Sequence, residues 1–513
     1  MNNARRRLLQ RGLFVGAGAS GLLACLAALS GCGGGGGGGD ADGEADAVAR
    51  FDGSAAAPAA DSINHPAADA GVPRRRAALA PPPGAIDPRA APFHARGDGV
   101  SDDTAALQAA IDSGRPVFLR GGTYVVTRLH LRAGLLLQGD GQATLSQRGG
   151  GSMLQAISAG PAQTLDGITL QDLTLLGQVA TLGFAEHVHL VDLRGVRNAK
   201  LQRCVLRGFR GDGLYLGGQA GDGTARHNDN VLVIENEFDG VNNDNRNGIS
   251  VIDGDGIVIQ RNLFQRCTRP NMPGAIDVEP NSQRFHVVRN IFIGSNRLRE
   301  IGGNVGAIAI VPARHRYDAE PSNFLVSHNL VESCRAFGIA FVRAFDDAAG
   351  SSAHPPRHDL SVRGNTIVGA RRGVGLTGVA GAVIENNRIS DREGSIVGCV
   401  ESDQRADDVT VRGNHFERCG SGSGVGFSVH HAHRLLMQDN HFEDCGNGGP
   451  GSHALDFRAG TSDWVALAGN RFSSASGRTR VAIQREANHR WTPAHNRFTG
   501  NELNGLPHRF EWG

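Results

Sequence analysis

Between residues 236 and 496 a series of ten asparagines recurs, each two places ahead of an apolar side chain. The copies begin with Asn236-Glu-Phe238, Asn262-Leu-Phe264, Asn290-Ile-Phe292, Asn329-Leu-Val331 and Asn365-Thr-Ile367. They continue through Asn387-Arg-Ile389, Asn414-His-Phe416, Asn440-His-Phe442, Asn470-Arg-Phe472 and Asn496-Arg-Phe498. The spacings are 26, 28, 39, 36, 22, 27, 26, 30 and 26 residues. A drifting period of this size is the mark of a solenoid, because each repeat is one unit that buries its apolar face only against its neighbours. The segments between are short, β-branched and bounded by Gly, Asn and Asp, so each repeat reads as a coil of strands. Stacked coils place equivalent residues about 4.8 Å apart, close enough for identical amides to hydrogen-bond. The predicted fold is all-β: a right-handed parallel β-helix of about a dozen coils over residues 92–513.

Cys267, Cys334, Cys419 and Cys445 each follow a repeat asparagine by five residues. One phase implies one inward-facing column, in which free thiols pack as small hydrophobes. The spacing is not that of a metal-binding CxxC pair.

Residues 32–91 are rich in Gly, Ala, Pro and Asp, including the run Gly33–Gly39, and are expected to form a disordered tether. Ahead of them, three arginines (Arg5, Arg6, Arg7) precede the apolar run Leu13–Leu29, too short to be read as a membrane span. Ala4-Arg-Arg-Arg-Leu-Leu-Gln10 resembles a twin-arginine export signal, and Leu29-Ser30-Gly31-Cys32 resembles a bacterial lipobox. The resemblance implies a signal peptide over 1–31, lipidation at Cys32, and a bacterial envelope location: an outer-membrane lipoprotein or a secreted protein. Contact with the membrane is then through the lipid anchor only. Losing residues 1–31 removes four arginines and no acid, taking the formal charge from +1 to 1 − 4 = −3. That balance gives no nucleic-acid footprint.

A solenoid needs an end cap. Asp103-Thr104 can start a helix through Leu107, Ala110 and Ile111, ended by Gly114. Gly97-Asp-Gly-Val-Ser-Asp-Asp-Thr-Ala-Ala-Leu-Gln-Ala-Ala-Ile111, followed by Val117-Phe-Leu119 and Gly122-Thr-Tyr-Val125, resembles the opening of the pectate-lyase-3, or rhamnogalacturonase/epimerase-like, β-helix family. The resemblance implies a polysaccharide substrate and leaves the reaction open. The Gly-His-Gly and Asn-Thr-Asp of polygalacturonases and the Asp-Pro-His of alginate epimerases are absent, so no catalytic residue carries over from those families.

The site is read from one strand. Gly274-Ala-Ile-Asp-Val-Glu-Pro-Asn281 alternates apolar and variable positions, as do Gly248–Asp253, Ala307–Pro312 and Gly338–Arg343. Only the first puts two carboxylates, Asp277 and Glu279, on its variable face. Small residues on neighbouring coils of that face suggest room for a flat ligand. Two long insertions, 311–322 and 343–359, follow this strand on the next coils and should wall the groove. Candidate catalytic residues are therefore Asp277, Glu279, Arg314 and His315. Candidate substrate contacts are Arg246, Asp253, Asn281, Tyr317 and Arg343. The carboxylate pair suits hydrolysis, which needs one protonated and one ionised carboxyl. The same groove accommodates β-elimination or C5 epimerisation, with Ca²⁺ held by Asp253, Asp277 and Glu279 and a base at Arg314 or His315. No other cofactor is implied. A non-catalytic glycan-binding surface protein is the alternative of different class, and the oligomeric state stays open between monomer and homotrimer.

Overall fold

A computed structural model describes residues 79–158, 165–219, 224–242, 244–281, 283–313, 317–343, 354–398 and 405–509. The leader, Cys32 and the tether as far as residue 78, together with Arg314 and His315, lie outside the described residues. Three parallel sheets of 14, 14 and 16 strands run the length of the solenoid. One coil illustrates the path. Gly254–Gln260 lies in sheet I, Leu263–Gln265 in sheet II and Ile276–Val278 in sheet III, before Val288–Gly294 returns to sheet I. Every strand pairs with its counterpart one coil away, so side chains of one type stack in columns.

The inward columns form one continuous apolar core from Ile86 to Ile483. Aromatic rings stack within it: Phe416 on Phe442 at 4.8 Å and Phe442 on Phe472 at 4.9 Å between centroids. The amide ladder occupies the turn between sheets I and II. Each asparagine donates from its backbone N–H and its Nδ2 to the Oδ1 of the next, as Asn262 does to Asn296 at 2.9 and 3.0 Å. Two members differ from the sequence reading. Asn296, not Asn290, continues the ladder to Asn329, and Asn501, not Asn496, receives Asn470. Asn290 lies within a sheet I strand, exposed, and its Oδ1 accepts from Asn323. The motif Asn-x-apolar also fits an alternating strand, and only the turn position makes an amide part of the ladder. Cys204 stands where the ladder begins and donates its backbone N–H to Asn236.

Cys204, Cys267, Cys334, Cys419 and Cys445 are free and buried. The thiol column is interrupted, since Cys334 registers with Ile301. Burial raises the Cys334 thiol to about 11 and the Cys204 thiol to about 12. Alkylation of native protein should therefore leave these five unlabelled, and denaturing, non-reducing alkylation followed by mass spectrometry should label all five. A native disulfide among them would contradict the inward register.

The cap helix spans Thr104–Asp112 and buries Leu107, Ala110 and Ile111. Asp103 does not cap it. Its carboxylate instead accepts the backbone N–H groups of Arg96 and Gly97, tying down the preceding strand, while Asp102 accepts the N–H of Thr104. The packed chain also starts before residue 92: Ile86 is buried, bridges to Val117 and accepts the Phe118 N–H.

Candidate active site

The outward column of sheet III aligns Tyr215, Ser250, Asp277, Ala309, Ala340, Gly375, Ile396, Ser428 and Asp456 in one register. The sequence reading aligned the segments that carry Ser250, Asp277, Ala309 and Ala340 on this face. It expected an open face, however, and the structure closes much of it. Asp277, Ala309 and Ala340 have no exposed surface. A second apolar cluster of Val305, Ala309, Val311, Phe337, Ala340, Val342 and Ile396 lies on this outer side. A Cβ on Gly375 would come within 2.6 Å of the Phe337 ring. The small residues make room for Phe337, not for a ligand.

What remains beside this cluster is a network of charges. Asp212 and Arg246–Asn247 occupy turns that enter sheet III on successive coils, each just before a glycine and a strand, Leu214–Gly217 and Ile249–Val251. Arg246 Nη1 donates to both Asp212 oxygens at 2.9 Å and to Ser250 Oγ at 3.1 Å. Asn247 Nδ2 donates to Ser250 Oγ at 2.9 Å and to Asp277 Oδ2 at 3.0 Å. Burial opposes the charge on Arg246, but the carboxylates of Asp212, Asp277 and Glu279 outweigh it and hold the guanidinium protonated. The Asp212 N–H donates to His189 Nδ1 at 3.0 Å, and burial drives His189 down to about 3, so this imidazole is neutral. Its 3.4 Å approach to the Asp212 carboxylate is therefore not an ion pair.

Asp277 and Glu279 are in side-chain contact. Asp277 Oδ1 has no donor aimed at it. Two carboxylates cannot both stay ionised at this range, and a shared proton satisfies them. Burial, reinforced by the Glu279 charge, pushes Asp277 well above the usual carboxylate range. Burial also raises Glu279, against Arg246 and the hydrogen bond from Asp277. Asp277 is thus the proton-bearing, enclosed member and Glu279 the half-buried member that reaches outward. A pair in contact is too close for the two carboxylates of a glycosidase, which stand about 5–5.5 or 6.5–9.5 Å apart. A further carboxylate, Glu186, has a side chain 39% exposed, with Oε1 3.8 Å from Arg246 Nη2. Beside it, Phe184 is exposed under the Arg269 guanidinium, 3.7 Å from its ring centroid.

Of the other expected contacts, Asn281 is half-buried two residues past Glu279. Tyr317 and Arg343 are buried and serve structure. The Tyr317 hydroxyl donates to the Pro280 carbonyl and accepts the Ala313 N–H, while Arg343, with no exposed side-chain surface, pairs with Glu320 and lies 5.5 Å from the Tyr317 ring centroid. These bonds tie Ala313 and Tyr317 to the coil carrying Glu279, and Glu320 to Arg343. Asp253 is also withdrawn. One oxygen accepts the Val287 N–H and meets His227 Nδ1 at 2.8 Å, and the other accepts the Asn228 N–H. Asp253, Asp277 and Glu279 do not converge as a cation site. Asp212, Asn247, Glu186 and His189 were missed. The phase of Asp212-Gly-Leu and Asn247-Gly-Ile was a usable signal for the first two, and nothing local marks the others.

Residues 90–298 match the family model described as rhamnogalacturonase A/epimerase, pectate lyase-like, and residues 349–507 match the right-handed β-helix region. The chain is a right-handed parallel β-helix, pectate-lyase-like over residues 90–298. No curated protein matches its sequence. Among solved structures, this β-helix is similar to the N-terminal fragment of bacteriophage Phi29 gene product 12, with TM-score 0.59 and 17% identity over 82% of this chain and 71% of that one. It is also similar to the pre-mature form of that product, with TM-score 0.60 and 16% identity over 82% of this chain and 57% of the other. The Azotobacter vinelandii mannuronan C-5 epimerase AlgE6 A-module aligns at TM-score 0.49 and 18% identity, over 81% and 98%. At these identities the likenesses show the fold alone.

Six rungs beyond Asp277, the β-helix places a second buried carboxylate, Asp456, about 29 Å away along the same face. Burial, against the opposing charge of Arg458, pushes it from 3.8 to about 7. Between those values the folded chain binds more protons than the unfolded one, so this group lowers stability as pH rises from 4 to 7. Asp456→Asn should leave stability unchanged near pH 4 and raise it by up to about 4 kcal/mol at pH 8. Denaturant melts at the two pH values check this, and equal effects at both would remove the burial argument.

Proposed function

We propose that the chain is an envelope-anchored enzyme that hydrolyses glycosidic bonds of an extracellular, uronate-containing polysaccharide, exported by its twin-arginine-type leader and held through Cys32. The observation that carries this is the half-buried Glu279 in contact with a fully buried, proton-bearing Asp277, beside the fixed cation of Arg246. Such a pair keeps a carboxylic acid available near neutral pH, which protonation of a leaving glycosidic oxygen needs. Asp277 passes its proton to Glu279 as Glu279 gives one up to the leaving oxygen, and Glu186 takes a proton from the attacking water, which returns to the pair when the cycle closes. Arg269 and Phe184 offer a uronate a cation and an apolar plate at the rim. The pectate-lyase-like family match supports a carbohydrate substrate.

The full chain, incubated with a panel of polyuronides and neutral glycans, tests this reading. New reducing ends without ultraviolet absorbance mean hydrolysis. Absorbance from unsaturated uronates would instead mean elimination, and an altered uronate ratio in intact chains would mean epimerisation. Retention of a glycan with no chemical change would make the protein a binding module.

A further inference from the structure

A side-chain cluster on sheet II, a different face from the candidate active site, has the makings of a cation site. On the outer surface of this sheet, three cross-coil ion pairs share one diagonal: a residue on one coil meets the residue two places past its register partner on the next. Arg297 registers with Leu330 and pairs with Glu332 at 2.6 Å. Arg388 registers with His415 and pairs with Glu417 at 2.7 Å. One coil further, His415 registers with His441 and meets Glu443 at 2.8 Å. Here the diagonal has an imidazole where the others have a guanidinium. The flanking arginines face other acids, Arg388 toward Glu417 and Arg471 toward Glu502. Glu443 is left with an imidazole as its partner.

The second imidazole completes the set. His415 and His441 stack with centroids 4.9 Å apart and planes 5° apart. His415 Nε2 touches Glu443 Oε2, and His441 Nε2 touches Ser473 Oγ at 2.9 Å. One ligand atom from each of His415, His441 and Glu443 lies within 4.8 Å of the others, the only such group of three among the described residues. We propose that His415, His441 and Glu443 bind one divalent transition-metal ion of the zinc class, which bridges two adjacent coils of the solenoid.

Two imidazoles, one carboxylate and an open position match the donor types and number that zinc takes in three-ligand sites. Zinc–nitrogen bonds of about 2.0–2.1 Å require the two Nε2 atoms to close toward each other. Both rings are partly exposed and free to turn about χ2 without disturbing the core. Ser473 is placed to hydrogen-bond a metal-bound water.

Zinc and cobalt(II) chloride, titrated into the full chain carrying no affinity tag, test the site by calorimetry and cobalt absorption. The expected result is one equivalent of metal bound, a four-coordinate cobalt spectrum and a higher melting temperature with zinc. His415→Ala and His441→Ala should each weaken binding more than tenfold, and Glu443→Gln should weaken it with the fold intact. Both histidines are on the surface, so the variants should melt like the parent without metal. The proposal is overturned if the parent binds neither ion, or if the His415→Ala/His441→Ala double variant binds as the parent does.

Discussion

Glu279→Gln should lower turnover on the hydrolysed polysaccharide by about 10²–10⁴-fold, the usual range for loss of a positioned general acid. Substrate binding should change far less, since the amide keeps the shape of the side chain. Asp277→Asn should act differently. Its amide still accepts from Asn247 and can donate to Glu279, so the buried contacts survive. Glu279 keeps a neutral donor beside it but loses the like-charged partner whose repulsion helps hold a proton on the pair, so that proton is held less tightly. At neutral pH less of it carries a proton, and the pH optimum moves toward acid with a smaller maximum. Steady-state kinetics across pH on the two variants separate these roles. Glu279→Gln with parental kcat would take the pair out of the chemistry. Ser428→Ala, three rungs short of the solenoid end on the same face, should change little.

Replacing a ladder asparagine should be the most destabilising single change in the solenoid. The side chain of Asn329 makes four hydrogen bonds: Nδ2 donates to the Ile293 carbonyl and to Asn365 Oδ1, and Oδ1 accepts from the N–H and the Nδ2 of Asn296. All these groups are buried. Asn329→Ala strands the Ile293 carbonyl and the Asn296 N–H without water, at about 1–3 kcal/mol each, and leaves a small cavity. The expected loss is about 3–6 kcal/mol in denaturant melts. Asn290→Ala is the comparison: it fits the same sequence motif but its side chain is exposed, and it should cost about 1–2 kcal/mol, from placing alanine at a positive φ of 55°. Equal losses at the two positions would mean that the ladder is not what holds the turns.

That comparison marks where local pattern stops being informative. A period-two strand places Asn290 two residues ahead of Phe292 as naturally as the turn places Asn262 ahead of Phe264. Only the stacked neighbour, Asn296 above Asn262, identifies the member that is bonded on both sides.

From the sequence alone came the solenoid, its parallel strands, the cap helix, the inward thiols and the outward register of Asp277 with Ser250, Ala309 and Ala340. These follow from periodicity, because side-chain direction in a strand alternates and coils stack at a fixed rise. The tertiary structure alone decided what covers that face. Phe337 fills the space over Gly375, Tyr317 and Arg343 turn inward under the insertions, and Asp253 is spent on backbone amides. It also decided that Asp277 shares its environment with Asp212, Arg246 and Glu279, three coils' worth of residues. Burial and charge coupling depend on everything packed around a group, and no short stretch of sequence contains that information.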